Sequence, residues 1–270
     1  MQIKGTYDVV LVPLVLPTAY LVQTLPPSIR SIQPSPFIPF TSQQIAALGI
    51  DATDFDPDTH HPVMLELGYQ HSTGPPPFGL NFQEAKLEIL GMRHPHAPSA
   101  SRQGYVFKQH ILFDSFVLNL SSNWLAGLRS ARTTFSPKQS PASYPASHQG
   151  TLHYNVENFV EATFERTTDD TQETAAAAEL IRWAGRPWYG ARTPRATLTQ
   201  FNFDLSTQAF EPVGYEGVVR MRPEAFLDAS ASSQGVEGLS GAEWIEMDKV
   251  RAWRFKASFA SEDSKVTDRA

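Results

Sequence analysis

The chain has 270 residues, a formal net charge of −6 from 22 basic and 28 acidic residues, and no cysteine. The lack of cysteine excludes disulfides, thiolate metal sites and a cysteine nucleophile, and it favours a reducing compartment, so we expect a cytoplasmic location. The mildly acidic balance argues against nucleic acid as a partner, because phosphate binding needs clustered lysine and arginine.

The most apolar early stretch is too short to cross a membrane. It runs from Val9 to Leu16, is interrupted by Pro13 and is closed by Pro17, whereas a spanning helix needs roughly 20 apolar residues. The basic start and cleavage pattern of a signal peptide are also lacking. The sequence therefore predicts no membrane partner. Its length is sufficient for one large core, so we predict a single domain over residues 1–260 and a disordered tail over 261–270.

Short apolar runs rich in β-branched and aromatic residues predict strands between proline-rich connections. Three other segments have helical spacing or capping signals. In chain order, we predict a strand at Tyr7 to Leu16, helices at Pro17 to Leu25 and Thr41 to Leu48, strands at Val63 to Tyr69, Ala85 to Leu90, Tyr105 to Leu112 and Leu152 to Thr163, a helix at Thr171 to Ala184, and strands at Leu198 to Leu205, Gly217 to Met221 and Trp244 to Ser258.

Strands thus outnumber helices and do not alternate with them. This pattern predicts a mainly β (α+β) fold with a few short helices rather than a doubly wound parallel sheet. Two histidine pairs, His60-His61 and His94-x-His96, lie beside prolines, but no third ligand stands at a telling spacing. We therefore predict no metal site. A glycine-rich phosphate loop and a Gly-x-Ser-x-Gly elbow are both lacking, which removes two common catalytic signals.

Two glutamates stand in or beside predicted strands. Glu66 interrupts an apolar run, and Glu84 precedes the strand that begins at Ala85. Either side chain can simply point to water, as most charged residues do. If both face inward, burial would raise their pKa values and make them proton-transfer groups.

Four segments, in order, resemble motifs of the acetoacetate decarboxylase superfamily. Pro62 to Gly74 resembles its apolar strand with a glutamate and a polar Ser/Thr-Gly end, and Phe82-Gln-Glu84 resembles the aromatic-x-Glu that follows. Phe113-Asp114 matches its Leu-Asp turn, and Gly150 to Thr163 resembles its Gly-Thr-Leu-x-Tyr strand. The resemblance implies an antiparallel, cone-like β-barrel or sheet that encloses a hydrophobic cavity.

The resemblance also implies a lysine that forms a Schiff base with a ketone. A gapped match sets Phe135-Ser-Pro-Lys138 on the family's aromatic-x-Pro-Lys signature, while an ungapped match reaches Ser130 instead. Gln139 stands where the decarboxylase has a second lysine, and Lys4 is the nearest cation to the expected arginine before the first strand. These departures imply a chemistry other than simple acetoacetate decarboxylation.

On this resemblance we predict Glu84, Lys138 and Glu66 as catalytic residues. Six further residues are predicted to bind substrate, namely Arg129, Arg132, Tyr69, His71, Phe82 and Trp124. No cofactor is expected, and the resemblance is compatible with a homo-oligomer. The aromatic-rich run from Trp183 to Tyr189 either lines a pocket for a flat ligand or packs in the core.

The predicted function is a lyase-type or cyclisation step on an apolar keto or polyketide-like intermediate of secondary metabolism. One version uses Lys138 as an amine nucleophile, and a second guides ring closure by proximity and hydrogen bonds without a covalent lysine. The alternative from another class is a non-catalytic carrier that binds a hydrophobic small molecule in the same cavity.

Overall fold

The computed structural model describes residues 2–53, 55–75, 77–97, 104–138, 150–167, 170–190, 197–207, 210–222 and 244–266. Within these ranges the strands are β1 (Lys4–Pro17), β2 (His60–Gly74), β3 (Leu80–Met92), β4 (Tyr105–Phe113), β5 (Ser130–Arg132), β6 (Phe135–Ser136), β7 (Leu152–Val156), β8 (Val160–Arg166), β9 (Trp188–Gly190), β10 (Thr197–Asp204), β11 (Phe210–Met221) and β12 (Ile245–Lys265). The helices are α1 (Thr18–Thr24), α2 (Pro27–Arg30), α3 (Ser42–Ala47), α4 (Phe116–Leu125) and α5 (Asp170–Ala184).

The strands form one sheet that closes on itself. Its order is β1-β2-β3-β4-β9-β10-β12, and β12 pairs back onto β1, which completes a ring. All neighbours in the ring are antiparallel except β4 and β9, which are parallel, and β5 adds a second parallel pairing outside it. The predicted mainly β, cone-like fold with short helices is confirmed, with a mixed rather than purely antiparallel sheet.

A buried ion pair joins the two strands that close the ring. Arg254 on β12 donates from Nε and one Nη to the two carboxylate oxygens of Asp8 on β1, at 3.0 and 3.1 Å. Both residues are buried. Because the two residues are 246 positions apart, this contact forms only once the first and last strands meet.

The remaining strands extend the sheet beyond the ring in the order β11-β8-β7-β6. Two hydrophobic clusters result. The outer cluster contains Val10, Leu65 and Leu87 from the ring together with Phe159 and Phe164 from the extension. The inner cluster contains residues from the opposite face of the ring strands, such as Leu11 and Met64, together with Ile45 of α3 and Leu180 of α5. Ring strands are therefore buried on both faces.

Most predicted elements lie where the sequence indicated, but α2, α4, β5, β6 and β9 were not predicted and some bounds differ. The predicted strand from Leu152 to Thr163 is a hairpin of β7 and β8, which turns at Asn158 with a φ of 59°. Helix α4 was not predicted, because its apolar residues were assigned to no element. The predicted tail begins inside β12, which continues to Lys265 and pairs with β10. Short strand β9, which links β4 to β10 in the ring, was not predicted, because its three residues are too few to form a strand pattern.

Helix α3 lies within the predicted segment, and Thr41 is its N-cap. Its hydroxyl accepts from the backbone N–H of Gln44, while the Gln44 side chain accepts from the backbone N–H of Thr41, which is a complete capping box. Among the described residues, no helix is long and apolar enough to cross a membrane.

Candidate active site

Charged side chains occupy one face of the middle of β3. Glu84, Lys86 and Glu88 stand at alternate positions, so their side chains project from the same face of the strand. The residues between them are apolar and belong to the outer cluster. Each of the three charged residues is less than 5% exposed. Such burial of charge is uncommon without partners.

The neighbouring strands supply those partners. Lys86 Nζ lies 2.6 Å from Glu66 Oε2 on β2, 3.3 Å from Glu84 Oε1 and 3.7 Å from Glu88 Oε1. Lys108 Nζ on β4 lies 3.1 Å from Glu88 Oε1. Register explains the contacts, because Glu66 is paired with Lys86 and Glu88 with Lys108. These five residues are called the charge cluster below.

Aromatic rings show that the charge cluster faces the interior of the ring. Lys108 Nζ lies 4.3 Å from the ring centroid of Trp188 on β9 and 5.0 Å from that of Phe201 on β10. Lys86 Nζ lies 5.9 Å from the centroid of the same Phe201 ring. Strand β10 is a neighbour of neither β3 nor β4. The contacts with Phe201 therefore cross the interior of the ring.

Two neutral polar side chains complete the hydrogen bonding. The Tyr7 hydroxyl donates to Glu66 Oε2 at 3.0 Å. The Gln70 amide donates to Glu84 Oε1 at 2.8 Å. Gly68, between Glu66 and Gln70 on the same face of β2, leaves room for the Tyr7 ring, since a Cβ there would lie 2.4 Å from Tyr7 Cε2.

The carboxyl groups of the charge cluster differ in proton affinity. Burial and the negative charge of Glu88 raise the pKa of Glu66 to about 7. Burial also opposes the charge of Glu88, but Lys108 and Lys86 together hold its pKa below the usual value, and a hydrogen bond with Glu66 adds to this. Glu66 thus holds its proton up to a higher pH than Glu88 does.

The two lysines differ in the same way. Burial opposes the charge on Lys86, but the surrounding glutamates, Glu66 first, raise its pKa above the usual value. Burial lowers the pKa of Lys108 below its usual value, Glu88 partly opposes this, and the neighbouring positive charge of Lys86 lowers the pKa further. Lys86 is therefore a fixed cation, and Lys108 is the amine that loses its proton more readily.

This geometry can be set beside known proteins. No model of a known protein family matches the chain, and no curated protein matches its sequence. A crystal structure of acetoacetate decarboxylase from Legionella pneumophila subsp. pneumophila str. Philadelphia 1 matches with a TM-score of 0.54, covering 96% of this chain and 84% of that one at 9% identity. This chain has the acetoacetate decarboxylase fold.

A second solved structure, from structural studies of acetoacetate decarboxylase, matches with a TM-score of 0.50 at 12% identity. It covers 98% of this chain and 88% of the other. The acetoacetate decarboxylase fold therefore accounts for nearly the whole chain. At these identities the likeness concerns the fold alone.

Within that fold, the predicted glutamates and the predicted lysine lie apart. Glu66 and Glu84 are both buried in the charge cluster. Lys138 is exposed and lies near Asp114. Burial raises the pKa of Asp114 above its usual value, and the charge of Lys138 partly opposes this rise. The side chain of Gln83 donates to the Pro137 carbonyl. Gln83 and Glu84 project from opposite faces of β3. Pro137, which Gln83 contacts, therefore lies on the face opposite the charge cluster, and Lys138 is the next residue.

The predicted substrate-binding residues are also divided. Phe82 shares the inward face of β3 and contacts Phe113, with ring centroids 5.7 Å apart. Tyr69 and His71 project from the face of β2 opposite Glu66 and contact each other, at 4.5 Å between centroids. The structure therefore brings Phe82, but not Tyr69 or His71, to the face that carries the charge cluster.

The other three predicted substrate-binding residues lie elsewhere. Arg129 is half-buried and acts electrostatically on His110, whose pKa is lowered to about 4 chiefly by burial. Arg132 is exposed on β5 and lies near Asp114. Trp124 on α4 is 74% exposed. The groups described beside Arg129 and Arg132, His110 and Asp114, are not members of the charge cluster.

Sequence reasoning missed Lys86, Glu88 and Lys108. A signal existed in the alternation of Glu84, Lys86 and Glu88 with apolar residues, but this pattern is also typical of a strand with one face in water. Closure of the ring turns that face inward. Among the described residues, no three histidine, aspartate or glutamate side chains are arranged to hold a metal ion, and the three glutamates surround Lys86 instead.

Proposed function

We propose that the chain is an enzyme that processes an apolar keto compound through a Schiff base on Lys108. One observation carries the proposal: Lys108 is a buried amine between Trp188 and Phe201, next to the second buried cation Lys86. Apolar surroundings and a neighbouring positive charge are the two conditions that make a lysine nucleophilic near neutral pH. In this proposal Lys108 takes the role that the sequence suggested for Lys138.

The neutral amine arises by a short proton transfer. Glu88 Oε1 lies 3.1 Å from Lys108 Nζ, which is within reach for a direct transfer. Binding of an apolar substrate against Trp188 and Phe201 removes water and disfavours the separated charges, so it favours the neutral amine with a neutral carboxylic acid. Lys86 keeps its charge because the Glu84 carboxylate still lies 3.3 Å from its Nζ and Glu66 still contacts it.

The covalent step follows from that state. Lys108 Nζ adds to the ketone carbon, the carbonyl oxygen takes up two protons and leaves as water, and a protonated imine remains. This cation attracts electrons from the adjacent carbon, so a carboxylate can remove a proton from that carbon and form an enamine. The enamine carbon then attacks a second carbonyl of the same substrate, or the reverse step cleaves a carbon–carbon bond. Water finally adds to the imine and releases Lys108.

The predicted glutamates keep their proposed roles. Glu84 is held by Gln70 and lies beside Lys86, and we propose it as the acid or base at the carbon next to the imine. Glu66, with its pKa raised to about 7 by burial and Glu88, is the matching proton reservoir and orients Lys86. Phe82 contributes apolar surface on the same face of β3. The reaction is thus of lyase or cyclase type, on a polyketide-like chain.

Reductive trapping tests this proposal. The protein is incubated with the neutral ketone 2-heptanone and borohydride, and the modified peptide is located by mass spectrometry. We expect the alkyl adduct on Lys108, its loss in Lys108→Met, and its retention in Lys138→Met, which removes an exposed lysine. An adduct confined to Lys138, or no adduct on any lysine, would contradict the proposal.

The ion pairs of both lysines support a second candidate function. A paired ammonium is a poor nucleophile, and a chain that keeps both pairs can bind a hydrophobic ligand without reacting with it. The native mass spectrum of the purified protein discriminates the two functions. A co-purifying ligand that is released unchanged supports the carrier, whereas a Lys108 adduct rules it out.

A further inference from the structure

The indole N–H of Trp188 points to a substrate contact. Trp188 is 8% exposed, and its Nε1 atom is buried without a hydrogen-bond partner in the part of the chain that the structure describes. The same indole ring lies 4.3 Å from Lys108 Nζ and 5.9 Å from the Phe201 ring. Buried donors are normally hydrogen-bonded, so a donor left over beside a candidate nucleophile indicates a group that arrives with a ligand.

The charges around that donor indicate which ligands fit. Among the described residues, only Lys86 and Lys108 form ion pairs with the three glutamates of the charge cluster. Both lysines are thus already neutralised, and carboxyl groups outnumber cations. The guanidinium of Arg254 donates to Asp8, whose side chain projects from the face of β1 that carries Val10 of the outer cluster. A substrate carboxylate would enter this cluster without a free cation, which is unfavourable in a buried site.

We propose that Trp188 Nε1–H donates to an uncharged oxygen of the substrate, and that the enzyme selects neutral keto compounds over keto acids. This inference rests on the proposed function, because it takes Lys108 as the point of attachment. It deepens that function by naming the substrate class as compounds with a second neutral oxygen near the reacting ketone.

Geometry indicates where that oxygen stands in the substrate. An acceptor lies about 2.9 Å from a donor nitrogen, and Lys108 Nζ is 4.3 Å from the centre of the same indole. Both distances are short, so the second oxygen stands only a few bonds from the imine carbon. Compounds with a ketone, ester or amide carbonyl two carbons from the reacting ketone carbon, the 1,3-dicarbonyl class, meet this requirement.

Two probes of the same skeleton separate charge from shape. Acetoacetamide carries a neutral amide where acetoacetate carries a carboxylate. Their dissociation constants are compared by titration at pH 7 without borohydride. We expect acetoacetamide to bind the wild type about tenfold more tightly or better. We also expect its binding to shift the indole N–H resonance of Trp188 in protein labelled with ¹⁵N-tryptophan, which has five such signals. Equal or tighter binding of acetoacetate would overturn the selection, and an unshifted Trp188 signal would overturn the contact.

A matched pair of variants completes the test. Trp188→Phe keeps an aromatic ring beside Lys108 and removes the N–H, so we expect acetoacetamide to bind about tenfold more weakly, which corresponds to one hydrogen bond. Trp253→Phe is the control, because its Nε1 is also buried without a partner among the described residues. Trp253 pairs with Leu11, which pairs with Glu66, so Trp253→Phe removes a buried N–H on the Glu66 side of the charge cluster, and we expect it to leave acetoacetamide binding unchanged.

The outcomes distinguish this inference from the proposed function. If Trp188→Phe and Trp253→Phe bind acetoacetamide as the wild type does, the Trp188 contact is wrong, while a Lys108 adduct still supports the Schiff base. If no adduct forms on Lys108, the proposed function fails whatever the dissociation constants. If Trp188→Phe does not fold, the two probes and the indole resonance of the wild type still decide the inference.

Discussion

Lys86 Nζ and Glu66 Oε2 lie 2.6 Å apart inside a closed ring of strands, and both side chains are almost completely buried. Neither group is stable there alone, because an unpaired buried charge is far less favourable than the same charge in water. The pair is part of a cluster with three carboxyl groups and two amines, so its stability depends on where the protons are.

We expect Lys86→Met to destabilise the protein by about 3–5 kcal/mol at pH 7, since it leaves buried carboxylates without a partner. The loss will be smaller at pH 5, where the carboxyl groups can take up protons. Urea unfolding at the two pH values measures the effect. Lys138→Met is the control and should stay within about 0.5 kcal/mol of the wild type, because Lys138 is exposed. A cost below about 1 kcal/mol at pH 7 would contradict the buried ion pairs.

Glu66 should make the protein less stable as the pH rises. Burial and Glu88 raise its pKa from 4.5 to about 7, so between these values the folded state holds a proton that the unfolded state has lost. The linked free energy of unfolding therefore falls from about pH 4.5 to about pH 7. We expect the free energy of unfolding of Glu66→Gln to lack this fall between about pH 4.5 and about pH 7. The exposed control Glu157→Gln should show the same dependence of unfolding free energy on pH as the wild type. Identical profiles for the wild type and Glu66→Gln would show that Glu66 does not titrate in this window.

His61 should act in the opposite direction. Burial lowers its pKa to about 4, against a hydrogen bond with the Leu90 carbonyl at 2.6 Å. Between pH 6.5 and about 4 the unfolded state binds a proton that the folded state does not, so stability is lost as the pH falls. The full difference is about 3 kcal/mol. We expect His61→Gln, whose amide can still donate to Leu90, to flatten this part of the unfolding profile. An unchanged acid slope would mean that His61 is not the group responsible.

Gly68 should be required for the position of Tyr7. A Cβ at residue 68 would lie 2.4 Å from Tyr7 Cε2, so Gly68→Ala must displace the ring that donates to Glu66. We expect a loss of about 1–3 kcal/mol from overpacking. In the background of Tyr7→Ala the same change should cost less, since the clashing ring is gone, and a double-mutant cycle of urea unfolding measures the coupling. Equal costs in both backgrounds would place the strain elsewhere.

Several features of this protein follow from local sequence alone. The runs that include Val63 and Tyr105 became strands because β-branched and aromatic side chains fit a pleated, buried surface. Thr41 capped a helix because its hydroxyl and the side chain of Gln44 reach each other's backbone N–H groups within one turn. Glu66 and Glu84 stood out because each breaks or borders an apolar run. All of these signals act over a few residues.

The tertiary structure decided which face of each strand is inside. Alternation along β3 divides Glu84, Lys86 and Glu88 from their apolar neighbours, but it cannot tell water from the interior of a ring. That difference depends on the pairing of β1 with β12, in which Lys4 pairs with Ala260, 256 positions away. Short-range patterns therefore identified Glu66 and Glu84, whereas the positions of Lys108 and Trp188 beside the charge cluster depend on pairing between distant strands.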